Sequence, residues 1–122
     1  PWVGALIPDL QQPIVFVAPE GREEEVVTRL SRVGYDHTLG YLAGGLAAWT
    51  AAGKETESVK SIPATQFAQE YAQGPLHVVD VRKPSEYQAE HVEEAENMPL
   101  DFLNDQMDKL RKDLTYHVHC AG

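Results

Sequence analysis

The only cysteine of the chain lies in its last segment, Tyr-His-Val-His-Cys-Ala-Gly, at residues 116–122. The β-prone run before Cys120 predicts a short strand, and the small residues Ala121 and Gly122 predict a turn directly after it. Backbone N–H groups in such a turn form a nest that stabilises an anion, which would favour a nucleophilic thiolate. A buried structural cysteine is the alternative interpretation, because free cysteines are among the most buried residues.

A metal site at the same segment is disfavoured, although His117, His119 and Cys120 are all possible ligands. Alternation along a strand places the two histidines on one face and the cysteine on the other. The chain contains no Cys-x-x-Cys pair, which is the usual spacing of a zinc site. We therefore expect no metal and no other cofactor.

Composition and charge exclude several classes of partner. The chain has 122 residues, 43% of them hydrophobic, and a formal net charge of −9, which argues against binding to nucleic acid or to an anionic membrane. A single cysteine cannot form an internal disulfide, so a reducing compartment, the cytoplasm, is expected. The sequence shows no signal peptide and no apolar run of about 20 residues. It begins with Pro1 and not with Met, which predicts a piece of a longer protein.

Strand and helix patterns alternate along the chain. Short apolar or β-branched runs predict strands at residues 14–18, 38–42, 76–81 and 116–119, and residues 97–99 are expected to end a further brief strand. Apolar residues at helical spacing predict helices at residues 22–33, 46–52, 63–72, 84–90 and 103–114, and a short one within 1–10. Such alternation is typical of the α/β class, with a parallel sheet covered by helices on both faces. In these sheets chemistry gathers at the carboxyl ends of the strands, where Cys120 would lie.

The chain also resembles itself at long range. Val15-Phe16-Val17-Ala18 aligns with Val118-His119-Cys120-Ala121, which places Val17 at the position of Cys120, 103 positions earlier (120 minus 17). That distance suits one small α/β domain. Residues 1–53 are therefore interpreted as the second half of one domain, residues 54–60 as a polar linker, and residues 61–122 as the first half of another domain.

Two groups of motifs resemble the rhodanese family. Residues 76–87 (LHVVDVRKPSEY), His91-Val92 and Asn97-Met98-Pro99 are similar to the amino-terminal signature, although Glu90 stands where the family has a glycine. Gly34-Tyr35, residues 42–45 (LAGG) and Trp49 resemble the carboxyl-terminal signature. The signatures occur in the reverse of the order within one domain, which agrees with two half-domains.

The resemblance implies a sulfurtransferase that carries sulfane sulfur as a persulfide on Cys120. The family loop, Cys-x-x-x-x-Arg, stabilises this persulfide, so Ala121 and Gly122 would contribute to substrate binding. Arg82 would help attract an anionic donor, although an ion pair with Asp80 is the favoured alternative. Glu86 and His91, like Asp80, are expected to shape the motif.

The resemblance also indicates the partners. The expected donor is thiosulfate or a persulfide, and the expected acceptor is a thiol or cyanide. Half-domains expose open sheet edges, so domain-swapped or homo-oligomeric association is also expected. The loop arginine is not among the 122 residues, and we therefore expect this chain alone to have little activity.

The first copy is interpreted as degenerate. Val17 cannot form a persulfide, whereas Arg22 keeps the fifth position after it (22 minus 17). Tandem pairs of this kind occur in sulfurtransferases, and also behind a metallo-β-lactamase-like domain in persulfide-oxidising enzymes. The chain is expected to derive from one of these two arrangements.

Two other functions remain open from the sequence. His119-Cys120-Ala121-Gly122 also resembles the start of the phosphatase loop His-Cys-x-x-Gly-x-x-Arg, in which the thiolate attacks phosphorus. A non-catalytic docking or regulatory module is the second alternative. The spacing of Val17 and Arg22 favours sulfur transfer over phosphate chemistry.

Overall fold

The computed structural model describes residues 2–121, which divide into two compact units. One unit comprises residues 7–59, and the other comprises residues 60–121 together with residues 2–6. The units are divided at two places, between Leu6 and Ile7 and within the polar segment 54–60, which carries neither helix nor strand. Among residues 2–121, none of the helices has the length and apolar character needed to cross a membrane.

Parallel strands and helices alternate along the chain, which confirms the predicted α/β class. In chain order the elements are α1 (Val3–Leu6), β1 (Ile14–Phe16), α2 (Glu23–Ser31), β2 (Thr38–Tyr41), α3 (Gly45–Ala51), α4 (Ala64–Ala72), β3 (His77–Asp80), α5 (Pro84–Ala89), β4 (Glu96–Asn97), α6 (Leu103–Gln106) and β5 (Tyr116–His119), with 3-10 turns at Leu100–Phe102 and Met107–Lys109.

The unit of residues 7–59 is built on the parallel pair β1 and β2. Parallel neighbours need a crossover connection, and α2 supplies it. Phe16 lies opposite Tyr41 in the register, with ring centroids 5.9 Å apart. Tyr35, which follows α2, is buried, and its hydroxyl donates a hydrogen bond to the Ile7 carbonyl. This contact fixes the start of the unit against the end of its crossover.

The other unit contains a three-stranded sheet in the order β4-β3-β5, with both pairs parallel. The central strand β3 is buried at Val78, Val79 and Asp80, and Met98 beyond β4 is fully buried. In this register Asp80 lies opposite both Asn97 and His119. The carboxyl ends of all three strands therefore meet at one edge of the sheet.

The single long helix predicted over residues 103–114 is wrong. The structure has the short helix α6 between two 3-10 turns, and the helical backbone ends at Leu110, whose ψ is 123°. Asn and Asp side chains recur in this segment, and they weaken helices because they compete for backbone hydrogen bonds. The Arg111 backbone N–H instead donates to the Tyr116 hydroxyl at 3.0 Å, which attaches the following turn to β5.

Candidate functional site

Cys120 follows the last residue of β5, and it is exposed. The Val81 backbone N–H donates to the His119 carbonyl at 3.1 Å, so the segments after β3 and β5 leave the same sheet edge. This is the edge at which α/β proteins carry their chemistry. The exposure disagrees with the alternative of a buried structural cysteine. Ala121 is also exposed, whereas the predicted Gly122 lies outside the described residues.

Asp80 and Arg82 form an ion pair in the turn after β3. Arg82 Nε lies 3.0 Å from both carboxylate oxygens of Asp80, and Nη2 lies 2.6 Å from Oδ2. The Arg82 backbone N–H donates to Oδ1 at 2.9 Å, and Nη2 also donates to the Glu90 carbonyl at 2.7 Å. These contacts support the structural interpretation of Arg82, and its contact with an anionic donor stays a prediction.

The charge of Asp80 is maintained although the side chain is fully buried. Burial alone would raise the pKa of Asp80, because it disfavours the ionised form. Hydrogen bonds from the Arg82 side chain and backbone outweigh this effect, together with the electrostatic interactions of His119 and Arg82 with the carboxylate, and the pKa lies below its ordinary value of 3.8. The same hydrogen bonds raise the pKa of Arg82. The pair is therefore fully charged at neutral pH.

His119 connects this pair to the strand that carries the cysteine. Its Nε2 lies 3.3 Å from Asp80 Oδ2, and this nitrogen is buried without a hydrogen-bond partner among residues 2–121. The sequence-based set of site residues does not include His119. The parallel register could have indicated it, because the last residue of β5 lies opposite the last residue of β3.

Asn97, at the end of β4, holds the same turn from the other side. Its side-chain amide donates to the carbonyls of Asp80 at 2.9 Å and of Arg82 at 3.0 Å. The Met98 backbone N–H also donates to the Asp80 carbonyl at 2.9 Å. Sequence reasoning used Asn97 only as a strand-end motif, because its partners depend on strand pairing. The turn after β3 is thus bound by both neighbouring strands.

Glu86 and His91 shape α5 and the turn that follows it. The Lys83 backbone N–H donates to Glu86 Oε2 at 3.2 Å, which satisfies a free donor at the helix start. The His91 ring stacks on Tyr87 with centroids 3.8 Å apart, and its Nδ1 lies 2.7 Å from the Tyr87 carbonyl oxygen. These contacts hold the start of α5 and the turn after it, and the motif roles of both residues stay predictions.

A second polar pair links β5 to α4. His117 Nε2 lies 3.1 Å from Glu70 Oε2, and Gln66 donates to the other Glu70 oxygen at 2.8 Å. The hydrogen bond from Gln66, followed by that from His117, lowers the pKa of Glu70.

Within residues 2–121, no three side chains of His, Cys, Asp or Glu are grouped so that they could hold a metal ion.

The structure is a parallel α/β unit in which a cysteine lies at the carboxyl edge of the sheet. The family model for the Rhodanese-like domain matches residues 63–122, a segment that includes α4, all three strands of this sheet and Cys120. This match supports the rhodanese-like superfamily for residues 63–122. No curated protein matches the chain.

Proposed function

We propose that residues 63–122 form a sulfurtransferase module that moves sulfane sulfur through a persulfide on Cys120. The observation that carries this proposal is the exposure of Cys120 at the end of β5, because a sulfur carrier must be reached by both donor and acceptor. The match to the rhodanese-like family supports the same chemistry. The alternatives are a docking module, which would need no accessible thiol, and a phosphatase.

The proposed reaction has two displacement steps. The Cys120 thiolate attacks the outer sulfur of thiosulfate, the sulfur–sulfur bond of thiosulfate breaks, and sulfite leaves with the electron pair. Cyanide, or the thiolate of an acceptor, then attacks the outer sulfur of the persulfide and regenerates the Cys120 thiolate. Backbone N–H groups of Ala121 and Gly122 would stabilise the persulfide anion, and Arg82 would add positive charge near the same edge.

We further propose that residues 1–53 are the second half of a degenerate copy. β1 ends at Phe16 and β5 ends at His119, which are 103 positions apart (119 minus 16), as are Val17 and Cys120. The copy would be inert because valine offers no nucleophile. The proposed parent is a cytoplasmic tandem sulfurtransferase, or a persulfide-oxidising protein with a preceding metallo-β-lactamase-like domain.

Thiosulfate and cyanide test the sulfurtransferase proposal directly. We expect slow thiocyanate release from the 122-residue chain, and about 100-fold faster release from a chain extended past Gly122 to complete a Cys-x-x-x-x-Arg loop, because the loop stabilises the anion. The Cys120→Ser variant of the extended chain should release none, and intact mass should show one added sulfur only where Cys120 is present.

Four outcomes would contradict the proposal. Thiocyanate release that persists in the Cys120→Ser variant would remove the cysteine from the reaction. Equal rates from the two chain lengths would remove the loop from it. Hydrolysis of an aryl phosphate by the extended chain, without thiocyanate release, would favour the phosphatase alternative, and neither activity would favour docking.

A further inference from the structure

In the unit of residues 7–59, a pocket of about 610 Å³ opens where β1 and β2 end. Its walls come from the segment after β1 and from the segment that leads into α3. This volume lies within the range of about 300–1,000 Å³ that is usual for small-molecule sites. The pocket occupies the part of the fold where Val17 stands in place of a cysteine.

One part of the pocket lining is apolar and open to solvent. Val17, Tyr41 and Leu46 all line the pocket, and they are 57%, 51% and 62% exposed. Burial of such apolar surface by a ligand contributes about 25 cal/mol of favourable free energy for every Å² removed from water. The pocket therefore favours a ligand with a hydrocarbon body.

The charged part of the lining is negative. Glu20 and Glu23 line the pocket, and no Lys, Arg or His is among its lining residues. Neither carboxylate has a hydrogen bond or an ion pair within residues 2–121. A cationic ligand could therefore pair with them without displacing an existing partner.

The one cationic side chain in the segment between β1 and α2 pairs with a residue outside the pocket lining. Arg22 Nε lies 2.7 Å from Glu25 Oε2, and Arg22 is absent from the pocket lining. The hydrogen bond from Arg22 lowers the pKa of Glu25, so this pair is charged at neutral pH. The arginine that would hold an anion in an intact rhodanese-like loop thus pairs with a glutamate of α2.

The helix dipole at the start of α2 does not cancel the negative charge of the pocket lining. A helix N-terminus attracts anions, but the first turn of α2 already carries Glu23, Glu24 and Glu25.

We propose that this pocket binds alkylammonium ions, with the ammonium group paired to Glu20 and Glu23 and the hydrocarbon chain covering Val17 and Leu46. The first unit would then recognise a cation, in contrast to the anionic donors proposed for Cys120.

NMR titration of the full 122-residue chain tests this proposal, and the Cys120→Ser background separates it from sulfur transfer. Hexylammonium should shift the amide signals of Val17, Glu20, Gly44 and Leu46, whereas hexanoate, of equal length and opposite charge, should bind at least about tenfold more weakly. N-acetyl-lysine methylamide distinguishes the source of the ammonium group. Comparable shifts with this compound would assign the site to lysine side chains of a partner, and shifts with hexylammonium alone to free amines.

Two variants of adjacent residues supply the matched control. Glu23→Gln removes a lining carboxylate and should weaken hexylammonium binding about fivefold, the upper range for an exposed ion pair. Glu24→Gln changes the net charge equally in the same helical turn, but it lies outside the lining and should leave the affinity unchanged. Equal weakening by both variants, equal binding of hexanoate, or shifts spread over the whole chain would overturn the proposal. The amide spectra also report whether each variant is folded.

Discussion

Asp80 is the side chain on which the turn after β3 most depends. It is a fully buried carboxylate, and buried charges are rare in proteins unless they are paired. Arg82 pairs with it through two guanidinium nitrogens, and His119 approaches the same carboxylate at 3.3 Å. Asp80 thereby connects the turn after β3 to the last residue of β5, which directly precedes Cys120.

Removal of this charge should destabilise the fold strongly. We expect Asp80→Asn to lower the free energy of unfolding by about 3 kcal/mol, because Arg82 would lose its counterion in a largely buried position. Urea denaturation followed by circular dichroism measures this loss. Asp113→Asn is the matched control, because Asp113 also binds an arginine two residues away, at 2.6 Å, but is 64% exposed. Its loss should be much smaller, and equal losses would show that burial of Asp80 is not decisive.

At the level of elements, α3 depends on the glycine that precedes it. Gly44 has a φ of 75°, in the left-handed region that side chains disfavour, and a Cβ at this position would lie 2.9 Å from the Ala48 Cβ. Gly53, after the other end of α3, has a φ of 70°, but a Cβ there would meet no atom within 4 Å. The two glycines therefore share a backbone conformation and differ in crowding.

This difference gives a prediction for alanine substitutions. Gly53→Ala should lower the free energy of unfolding by about 1 kcal/mol, which is the conformational cost alone. Gly44→Ala should lower it by about 1–3 kcal/mol more, because the new methyl group also overlaps Ala48. Urea denaturation of the two variants measures the difference. Losses of the same size would mean that α3 shifts enough to relieve the overlap.

For the molecule as a whole, acid should weaken the folded state. The pKa of Asp80 and of Glu70 lies below the ordinary values of 3.8 and 4.5 for the reasons given above, so the unfolded chain binds more protons as the pH falls through this range. The stability from these groups is fully present above the ordinary pKa values, and it is lost as the pH falls toward the folded-state values.

Urea midpoints measured from neutral to acidic pH test this linkage. We expect the midpoint of the native chain to fall once the pH drops below about 4.5, and to fall less steeply in Asp80→Asn, which lacks the buried titrating group. The exposed variant Asp113→Asn should reduce the slope less than Asp80→Asn does, because solvent screens the ion pair of Asp113 with Arg111. Parallel pH profiles for the native chain and Asp80→Asn would contradict the role assigned to the buried carboxylate.

The local pattern of the sequence was sufficient for the α/β class and for most helices and strands. β-branched runs predicted the strands that carry Asp80 and His119, because alternation and helical spacing are properties of neighbouring residues. The same reasoning failed over residues 103–114. There the apolar spacing of Leu103, Met107 and Leu110 indicated one helix, but Asn and Asp side chains and the Arg111–Tyr116 contact divide the segment into short turns.

By itself, the sequence determined the element types, the motifs that resemble rhodanese domains and the position of the only cysteine after a strand. Only the tertiary structure decided that His119 approaches buried Asp80 and that Asn97 holds the turn after β3. The physical reason is that these contacts depend on strand register and side-chain direction. Both are set by packing between residues distant in the chain, which local periodicity does not contain.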